Sequence, residues 1–515
     1  MSRRGGAGLL ALGLTLAGAW QWTLRAQGRG VPLITDEGEY SVAARVWAEG
    51  GLPYRDAFSQ KPPLVLLAYR AARAVSSDPE APRALGALAA LATLGALFFC
   101  APASWSAAGR LAAPAAFAAL SALPIGDYGF TANTEVFVNF FAALSAAAVL
   151  RGAPLAAGLA AGAALSAKQT ALWTVLGFGA LSAWTPRGFS PRRAARFALG
   201  AAAAPAAFAV YFAARGAFHD YWACVWSGNA RYTAVMLESG AFSAQLTWFT
   251  RALLPRLVGY GLPALALAGW SLHGRRAGHE RPVETLAVVW FGTAIAGALT
   301  GLFFFPHYFV TVAPALALGA AAGVERLGRA RARWAGALIL ALWPALLAPR
   351  LLFASSARER ALSLLYPNPL FETQLLGAEI ARRAAPGDRL HVFGSEGALF
   401  VYSGLRPATP HTLSYALTLF PKDGALGREE MARLSAAPPR FIVWSGQPLS
   451  TMIASRAGAD YRDALRAFVA AGYDYAGSVR VLPSLQPPAF EPASSAVAAP
   501  FGDEDRLMLF VRRAP

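Results

Sequence analysis

The sequence predicts a polytopic α-helical membrane protein with a small α/β domain at its C-terminal end. Of its 515 residues, 56% are hydrophobic and 15% are charged, whereas soluble domains carry about 25% charged residues. Apolar segments long enough to cross a bilayer recur through the first 353 residues, and beyond them the apolar runs shorten to strand length. We therefore expect a transmembrane domain at 1–353 and a soluble domain at 354–515.

Eleven apolar segments are predicted to span the membrane, because a transmembrane helix needs about 20 mainly apolar residues. A basic start at Met1–Arg4 indicates a cytoplasmic N-terminus. The segment 154–184 is short for two crossings, but two crossings place Arg151 and the later basic loops on one side. The predicted spans are 7–24, 83–100, 107–125, 133–150, 154–167, 170–184, 194–214, 251–272, 283–304, 307–325 and 333–353.

The net charge of +17 follows this topology and does not indicate nucleic-acid binding. From Ala354 onward there are 17 Lys and Arg against 15 Asp and Glu, so +15 of the +17 belongs to the first 353 residues. There the basic residues gather in short loops between apolar segments, as the positive-inside rule predicts. Those loops are 185–196, 273–282 and 326–333, which leaves 25–82, 124–134, 215–250 and the tail outside.

Shorter elements are predicted in the outer loop and in the tail. Two surface helices precede the second span, and the tail alternates strands with helices, which is typical of an α/β domain. The predicted surface helices are 36–49 and 62–75, the strands are 389–394 (RLHVFG), 440–444 (RFIVW) and 506–511 (RLMLFV), and the tail helices include 371–385 and 460–471.

The loop at 25–82 carries acidic residues beside the membrane, in the stretch 36–64 (DEGEYSVAARVWAEGGLPYRDAFSQKPPL). Carboxylates placed there are costly unless they work in water or hold a ligand. An ionised carboxylate can take a proton from an incoming hydroxyl. Helix capping explains acids in a first turn equally well, but their place in the outer loop favours function. The three acids are Asp36, Glu37 and Glu39.

Lys61 lies before two prolines in the same loop, so its backbone is stiff and its ammonium can offset phosphate charge. Taken alone, a lysine that anchors the next helix at the headgroups explains it better. However, Asp36-Glu37 some 25 residues before Lys61-Pro62-Pro63-Leu64 resembles the first periplasmic loop of GT-C class transferases that use polyprenyl-phosphate sugars. That class includes the lipid A aminoarabinose transferase, Rgt-type lipopolysaccharide transferases and protein O-mannosyltransferases.

The resemblance implies a GT-C fold and roles for individual residues. The residue that Asp36 matches is the family's proposed catalytic base, and the lysine that Lys61 matches contacts the lipid phosphate. Tyr54 of this loop is a further substrate-binding candidate. One departure is Gln60, where the aminoarabinose transferase has Glu; it puts a carboxylate there in doubt, together with any metal ion that it would help to bind.

Three further outer-face positions match the family's pattern. Glu135 in TANTEVFVN at 131–139 corresponds to a second acid, although an acid in a first helical turn is about as good an explanation. Lys168 corresponds to a lysine near the sugar phosphate, and a lysine amid apolar helix is costly without an anionic partner. His307-Tyr308 corresponds to Arg-Tyr or His-Tyr near the donor phosphate, with an interfacial aromatic belt as the alternative.

The function that the resemblance implies, and that we favour, is that of an inverting glycosyltransferase in the bacterial inner membrane. Its expected donor is a polyprenyl-phosphate monosaccharide, and its expected acceptor is a cell-envelope lipid, glycan or protein. No soluble nucleotide donor is implied, because no Walker or Gly-rich nucleotide loop has a usable context. The sequence leaves open whether a divalent metal ion binds; Asp36 and Glu135 are the candidate ligands. The alternatives are a flippase or transporter for lipid-linked sugars and a non-catalytic assembly scaffold.

Overall fold

The computed structural model describes residues 3–273, 282–419, 423–493 and 501–513. Helices stand at each of the eleven predicted spans, while most of the predicted basic loop 273–282 lies outside the described residues. The α-helices of the first part are α1 (Arg3–Arg25), α2 (Thr35–Ala48), α3 (Pro63–Val75), α4 (Ala81–Cys100), α5 (Ala107–Leu120), α6 (Thr134–Leu150), α7 (Pro154–Ala167), α8 (Leu172–Ala183), α9 (Pro191–Ala214), α10 (Phe218–Trp222), α11 (Gly228–Glu238), α12 (Phe242–Trp248), α13 (Leu254–Leu272), α14 (Pro282–Leu299), α15 (Ala313–Glu325) and α16 (Ala330–Leu347).

Shorter elements connect these helices. A hairpin of β1 (Trp184–Thr185) and β2 (Gly188–Phe189) joins α8 to α9. The region 215–250, predicted as a loop, is mostly helical, because it contains no proline to interrupt its aromatic and apolar residues. The 3₁₀ segments are Ala26–Gly28, Gln169–Ala171 and Pro306–Val312, and the π-helical segments are Ala223–Ser227 and Phe249–Leu253.

Several of these helices have the length and composition of membrane spans. Among the described residues six are long and apolar enough to cross a bilayer, and three more are apolar but shorter. The six are Gly6–Gly28, Ala81–Cys100, Pro191–Ala214, Phe242–Leu272, Pro282–Leu299 and Pro306–Glu325. The architecture is therefore that of a multi-pass membrane protein, and the count of eleven crossings stays a prediction.

Small residues set the packing inside this bundle. A Cβ atom on Gly158 would lie 2.1 Å from the carbonyl oxygen of Phe197, and one on Gly323 would lie 2.0 Å from that of Leu267. Helices α7 and α9, and likewise α13 and α15, therefore approach each other backbone to backbone, as helices in membranes do at small residues. The core between α5 and α15 is largely alanine, whereas leucines such as Leu199 point outward.

The tail contains a six-stranded mixed sheet with helices packed on it. Its helices are α17 (Pro349–Phe353), α18 (Ala357–Leu365), α19 (Leu370–Arg383), α20 (Ala398–Ser403), α21 (Tyr415–Thr418), α22 (Ala425–Ala436), α23 (Pro448–Thr451) and α24 (Arg456–Gly472). The strands are β3 (Arg389–Phe393), β4 (Arg406–Pro407), β5 (Phe441–Ser445), β6 (Tyr473–Arg480), β7 (Phe490–Pro492) and β8 (Arg506–Arg512), in the order β4-β3-β5-β8-β6-β7.

The three predicted tail strands and the two predicted tail helices are confirmed as β3, β5, β8, α19 and α24. Three further strands were not predicted. Strand β4 has two residues and β7 has three, too few to show alternation. Strand β6 contains Gly477 at φ +136° beside a register shift, which breaks the hydrophobic pattern by which a strand is recognised.

The tail packs directly on α2. A Cβ atom on Gly38 would lie 2.3 Å from the backbone nitrogen of Ala398 at the start of α20, so only glycine allows this approach. Tyr402 accepts a hydrogen bond of 2.8 Å from the backbone nitrogen of Leu33, and Arg45 donates to carbonyl oxygens of Phe400 and Gly404. The tail therefore fixes the helix that carries Asp36. The domain boundary at 353 stays a prediction.

Candidate functional site

Four connections between helices meet at one end of the bundle, which we call the site end. They bring together Asp36 in the first turn of α2, Asp127 between α5 and α6, Lys168 between α7 and α8, and His307 in the 3₁₀ segment before α15. Lys168 lies in the short connection between α7 and α8, and the two crossings of 154–184 stay a prediction.

The opposite end of the bundle is tied by other contacts. Ser106 bonds the carboxylate of Glu325 at 2.5 Å, and Arg151 donates to the carbonyl oxygen of Phe99 at 3.1 Å. Arg193 donates to the carbonyl oxygen of Ser182 at 2.8 Å. Basic residues of the predicted cytoplasmic loops thus lie away from the site end.

Asp36 lies between the side chains of Lys61 and His307 at the site end. Its Oδ2 atom is 3.9 Å from Nζ of Lys61 and 3.8 Å from Nε2 of His307. The side chain of Asp36 is 21% exposed, that of Lys61 15% and that of His307 8%. A carboxylate and an ammonium group, both partly accessible, therefore face each other without direct hydrogen-bond contact.

A chain of polar contacts holds His307 in place. Its Nδ1 atom lies 2.7 Å from Oδ2 of Asp127. The same carboxylate oxygen accepts a hydrogen bond of 3.3 Å from Asn133, whose Oδ1 atom accepts one of 2.9 Å from the hydroxyl of Tyr40. This network joins α2, the connection before α6 and the segment before α15. It was not predicted, because Asp127 and Asn133 carry no signature beyond being polar residues in an outer loop.

Glu135 and Lys168 form a buried ion pair next to this network. Thr134 donates a hydrogen bond of 2.9 Å to the other oxygen of Glu135, and the ammonium of Lys168 lies 3.9 Å from the ring centre of Tyr308. Tyr308 is in turn hydrogen-bonded to Tyr232. A lysine amid apolar helix was expected to need an anionic partner, and Lys168 has one within the protein, the carboxylate of Glu135.

The variant Lys168→Met should leave the carboxylate of Glu135 buried without its partner. We expect the free energy of unfolding in detergent to fall by about 3–5 kcal/mol, measured by denaturant titration. The double variant Glu135→Gln with Lys168→Met removes both charges and should recover most of that loss. An undiminished stability in the single variant, or a double variant as unstable as the single one, would contradict the pairing.

Glu39 lies one helical turn after Asp36 and is engaged at both oxygens. Oε1 accepts a hydrogen bond of 2.6 Å from Ser59, and Oε2 accepts one of 3.0 Å from Tyr415 of the tail. The residue is 1% exposed. Asp36 and Glu39 thus face the same side of α2, as residues three apart should.

Glu37 points away from this group. Its carboxylate accepts hydrogen bonds of 2.9 and 2.5 Å from the guanidinium of Arg83 and one of 2.9 Å from the backbone nitrogen of Ala132. Arg83 also donates to backbone carbonyls of the segment before α2, among them Val31 at 2.7 Å. These contacts favour a structural role for Glu37, which ties α2 to α4 and to the connection before α6.

Lys61 is positioned by its own loop. Its carbonyl oxygen accepts a hydrogen bond of 2.9 Å from Tyr54, and its backbone nitrogen donates one of 3.2 Å to Ser59. Tyr54, held at φ +75°, therefore orients the backbone of Lys61. The ammonium lies 5.8 Å from the ring centre of Tyr40. Within the described residues no hydrogen bond engages the Lys61 ammonium, so it has donors for an anionic ligand.

The electrostatics favour charged forms of Asp36 and Lys61. Burial disfavours ionised Asp36, but the charges of Lys61 and His307 outweigh it and hold the pKa of the carboxyl below its usual value. Burial likewise disfavours charged Lys61, and Asp36 and Glu39 outweigh it, so the pKa of this ammonium is raised. Burial raises the pKa of Glu39. Of the two acids on this face of α2, Asp36 is therefore the one whose ionised form its surroundings favour.

The donor set does not fit a resident metal ion. Over the described ranges, no three His, Cys, Asp or Glu side chains are arranged to hold one, and Asp36 and Glu135 each face a cation already. At Gln60, where the resemblance has Glu, the buried Nε2 atom lacks a hydrogen-bond partner among the described residues. We derive no step through a metal ion.

Comparison with solved structures identifies the fold. ArnT from Cupriavidus metallidurans, crystallised with undecaprenyl phosphate, is 16% identical, and the match covers 98% of each chain at a TM-score of 0.57. The apo form of ArnT matches with a TM-score of 0.52, 15% identity and 98% coverage of each chain.

A second enzyme matches as well. It is the oligosaccharyltransferase of Archaeoglobus fulgidus, tethered by a disulfide bond to an acceptor peptide with an NVT sequon; the match has 12% identity, a TM-score of 0.52, and coverage of 94% of this chain and 74% of that one. No protein-family model and no curated protein sequence matches the chain. The structural neighbours are glycosyltransferases, and the fold they share with this chain is the GT-C fold.

Proposed function

We propose that this chain, with its GT-C glycosyltransferase fold, is an integral-membrane enzyme that transfers a monosaccharide from a polyprenyl-phosphate donor to a cell-envelope acceptor. The observation that carries the proposal is the placement of ionised Asp36 between Lys61 and His307 at the site end of the bundle. That arrangement offers a proton acceptor and phosphate-binding cations within one site. The undecaprenyl phosphate bound to the neighbour ArnT supports the choice of donor class.

The proposed reaction is a single displacement. Asp36 takes the proton of the acceptor hydroxyl, whose oxygen attacks the anomeric carbon of the donor sugar. The bond from that carbon to the phosphate oxygen breaks, and its electron pair leaves with the polyprenyl phosphate. Lys61 binds the phosphate oxygens and offsets their charge. Because the acceptor attacks opposite the leaving group, the configuration at the anomeric carbon inverts.

The other predicted site residues support these two. His307 lies against Asp36 and Asp127, so it orients the base and adds positive charge near the phosphate. Lys168, Glu135 and Tyr308 form a packed wall of the site through their ion pair and ring contact. Tyr54 holds the backbone of Lys61, and Glu39 holds its loop.

We further propose that the site end faces outward from the bacterial inner membrane and that the tail from 354 onward is a soluble domain on that side. The predicted position of the basic loops supports this orientation. A donor with its sugar in the outer leaflet would then reach Asp36 and Lys61 from the lipid.

Reconstitution into liposomes tests the function. Envelope lipids and glycans of a strain lacking the protein, compared by mass spectrometry, identify the missing sugar and its acceptor. Purified protein should then transfer that sugar from its synthetic undecaprenyl-phosphate form to the acceptor, with inverted anomeric configuration. Movement of the labelled donor between leaflets without any transfer would instead indicate a flippase, and an unchanged envelope together with no transfer would contradict the proposal.

A further inference from the structure

The segment 58–61, which ends in Lys61, is held by the tail as well as by the membrane part. The backbone nitrogen of Phe58 donates a hydrogen bond of 2.8 Å to the carbonyl oxygen of Pro410. The Phe58 ring packs edge-on against Tyr415, with ring centres 5.7 Å apart. The stretch from Pro410 to Tyr415 therefore packs against the segment 58–61.

A continuous chain of hydrogen bonds runs from Tyr415 to Lys61. The hydroxyl of Tyr415 donates to Glu39 at 3.0 Å, and Ser59 donates to the second oxygen of Glu39 at 2.6 Å. The oxygen of Ser59 accepts the backbone N–H of Lys61 at 3.2 Å. Because Glu39 is 1% exposed, water cannot readily replace a donor that is lost.

The tail can support this chain of hydrogen bonds because it is also docked on α2 and the segment before it through other contacts. The contact of Gly38 with Ala398 and the hydrogen bond from Leu33 to Tyr402 involve tail residues other than Tyr415. Removing the Tyr415 hydroxyl therefore leaves these docking contacts in place and interrupts the link from the tail to Ser59 and Lys61.

We propose that Tyr415 is a positioning residue through which the tail holds Lys61 in the orientation that binds the donor phosphate, an inference that rests on the proposed function. Without the Tyr415 hydroxyl, the carboxylate of Glu39 keeps only its hydrogen bond from Ser59, so Glu39 and Ser59 can move together. The Lys61 backbone then loses its fixed acceptor. Since the variant keeps the Lys61 ammonium and phosphate is charged before the reaction begins, we expect the loss to fall mainly on donor binding.

The test compares Tyr415→Phe with Tyr402→Phe, a matched loss of a tail hydroxyl that also bonds the 25–82 loop but is not linked to Lys61. Tyr415→Phe should raise the donor KM roughly tenfold with a smaller change in kcat, while Tyr402→Phe leaves both near wild type. In a Lys61→Met background, Tyr415→Phe should add no further change in donor affinity, because its effect passes through Lys61.

Binding of undecaprenyl phosphate to purified protein gives a readout that does not depend on transfer. Weaker binding by Tyr415→Phe than by Tyr402→Phe supports the inference, and equal binding by both overturns it while leaving the function intact. A wild type that neither binds this lipid nor transfers sugar would contradict the proposed function itself. If Tyr415→Phe lowers the yield of folded protein, Ser59→Ala interrupts the same chain at its other end and should weaken binding alike.

Discussion

Asp36→Asn should lower the rate of sugar transfer by about 10²–10⁴-fold, the range that a positioned general base contributes. The amide has nearly the shape of the carboxylate but cannot accept the proton of the acceptor hydroxyl. Lys61 and His307 stay in place to bind phosphate, so we expect undecaprenyl phosphate to bind with at least its wild-type affinity. Single-turnover transfer and lipid binding, measured on the same preparation, separate the two effects.

The control for this variant is Glu49→Gln, which removes a carboxylate from the C-terminal end of the same helix. Glu49 contacts Arg406 at 3.0 Å on the surface, with 36% of its side chain exposed, and exposed pairs contribute little. Transfer by Glu49→Gln should stay near the wild-type rate. Wild-type transfer by Asp36→Asn would remove Asp36 as the base, whatever the behaviour of the control.

Lys61→Met should lower kcat by about 10²–10³-fold, which is typical for the loss of one group that stabilises developing charge. Methionine keeps the length of the side chain and removes its charge, so the leaving phosphate loses the ammonium that no hydrogen bond within the described chain engages. Donor affinity should fall as well, because phosphate is charged before the reaction begins. Single-turnover rates at saturating donor measure the first effect, and lipid binding measures the second.

Two further variants show whether position or charge matters at Lys61. Lys61→Arg should recover little of the kcat and donor affinity that Lys61→Met loses. Pro62 and Pro63 fix the backbone, and the planar guanidinium needs a different approach to phosphate. Arg70→Met removes one cation from the neighbouring helix α3, where Arg70 lies 5.6 Å from the Trp47 ring centre, and should leave donor affinity near wild type. Equal losses in Lys61→Met and Arg70→Met would indicate a general charge effect.

Within α2 the sequence already indicated which acids share a face. Residues three apart on a helix lie on one side, so Asp36 and Glu39 were expected together, and both face the Lys61 loop. The partner of Glu37 was not predictable in this way, because Arg83 is 46 residues away and lies on another helix. Periodicity reports the direction of a side chain and not what it meets.

Asp127 and Tyr415 show the same limit more strongly. Asp127 stands in a connection that the topology assigned to the site end, yet only the contact with His307 distinguishes it from an ordinary loop acid. Tyr415 is 376 residues from Glu39 and belongs to the tail. No spacing rule connects residues in separate parts of a chain, so the hydrogen bond from Tyr415 to Glu39 was not predicted.

Composition, apolar segment length and the distribution of basic residues were sufficient to predict a helical membrane protein with a mixed α/β tail, because lipid imposes length and polarity on every helix that crosses it. The resemblance around Asp36 and Lys61 predicted that this loop carries the site. Only the tertiary structure decided which of its charges face one another and which are neutralised inside the protein. Those pairings depend on distances between helices distant in sequence, and such distances are set by the packing of the whole bundle and tail.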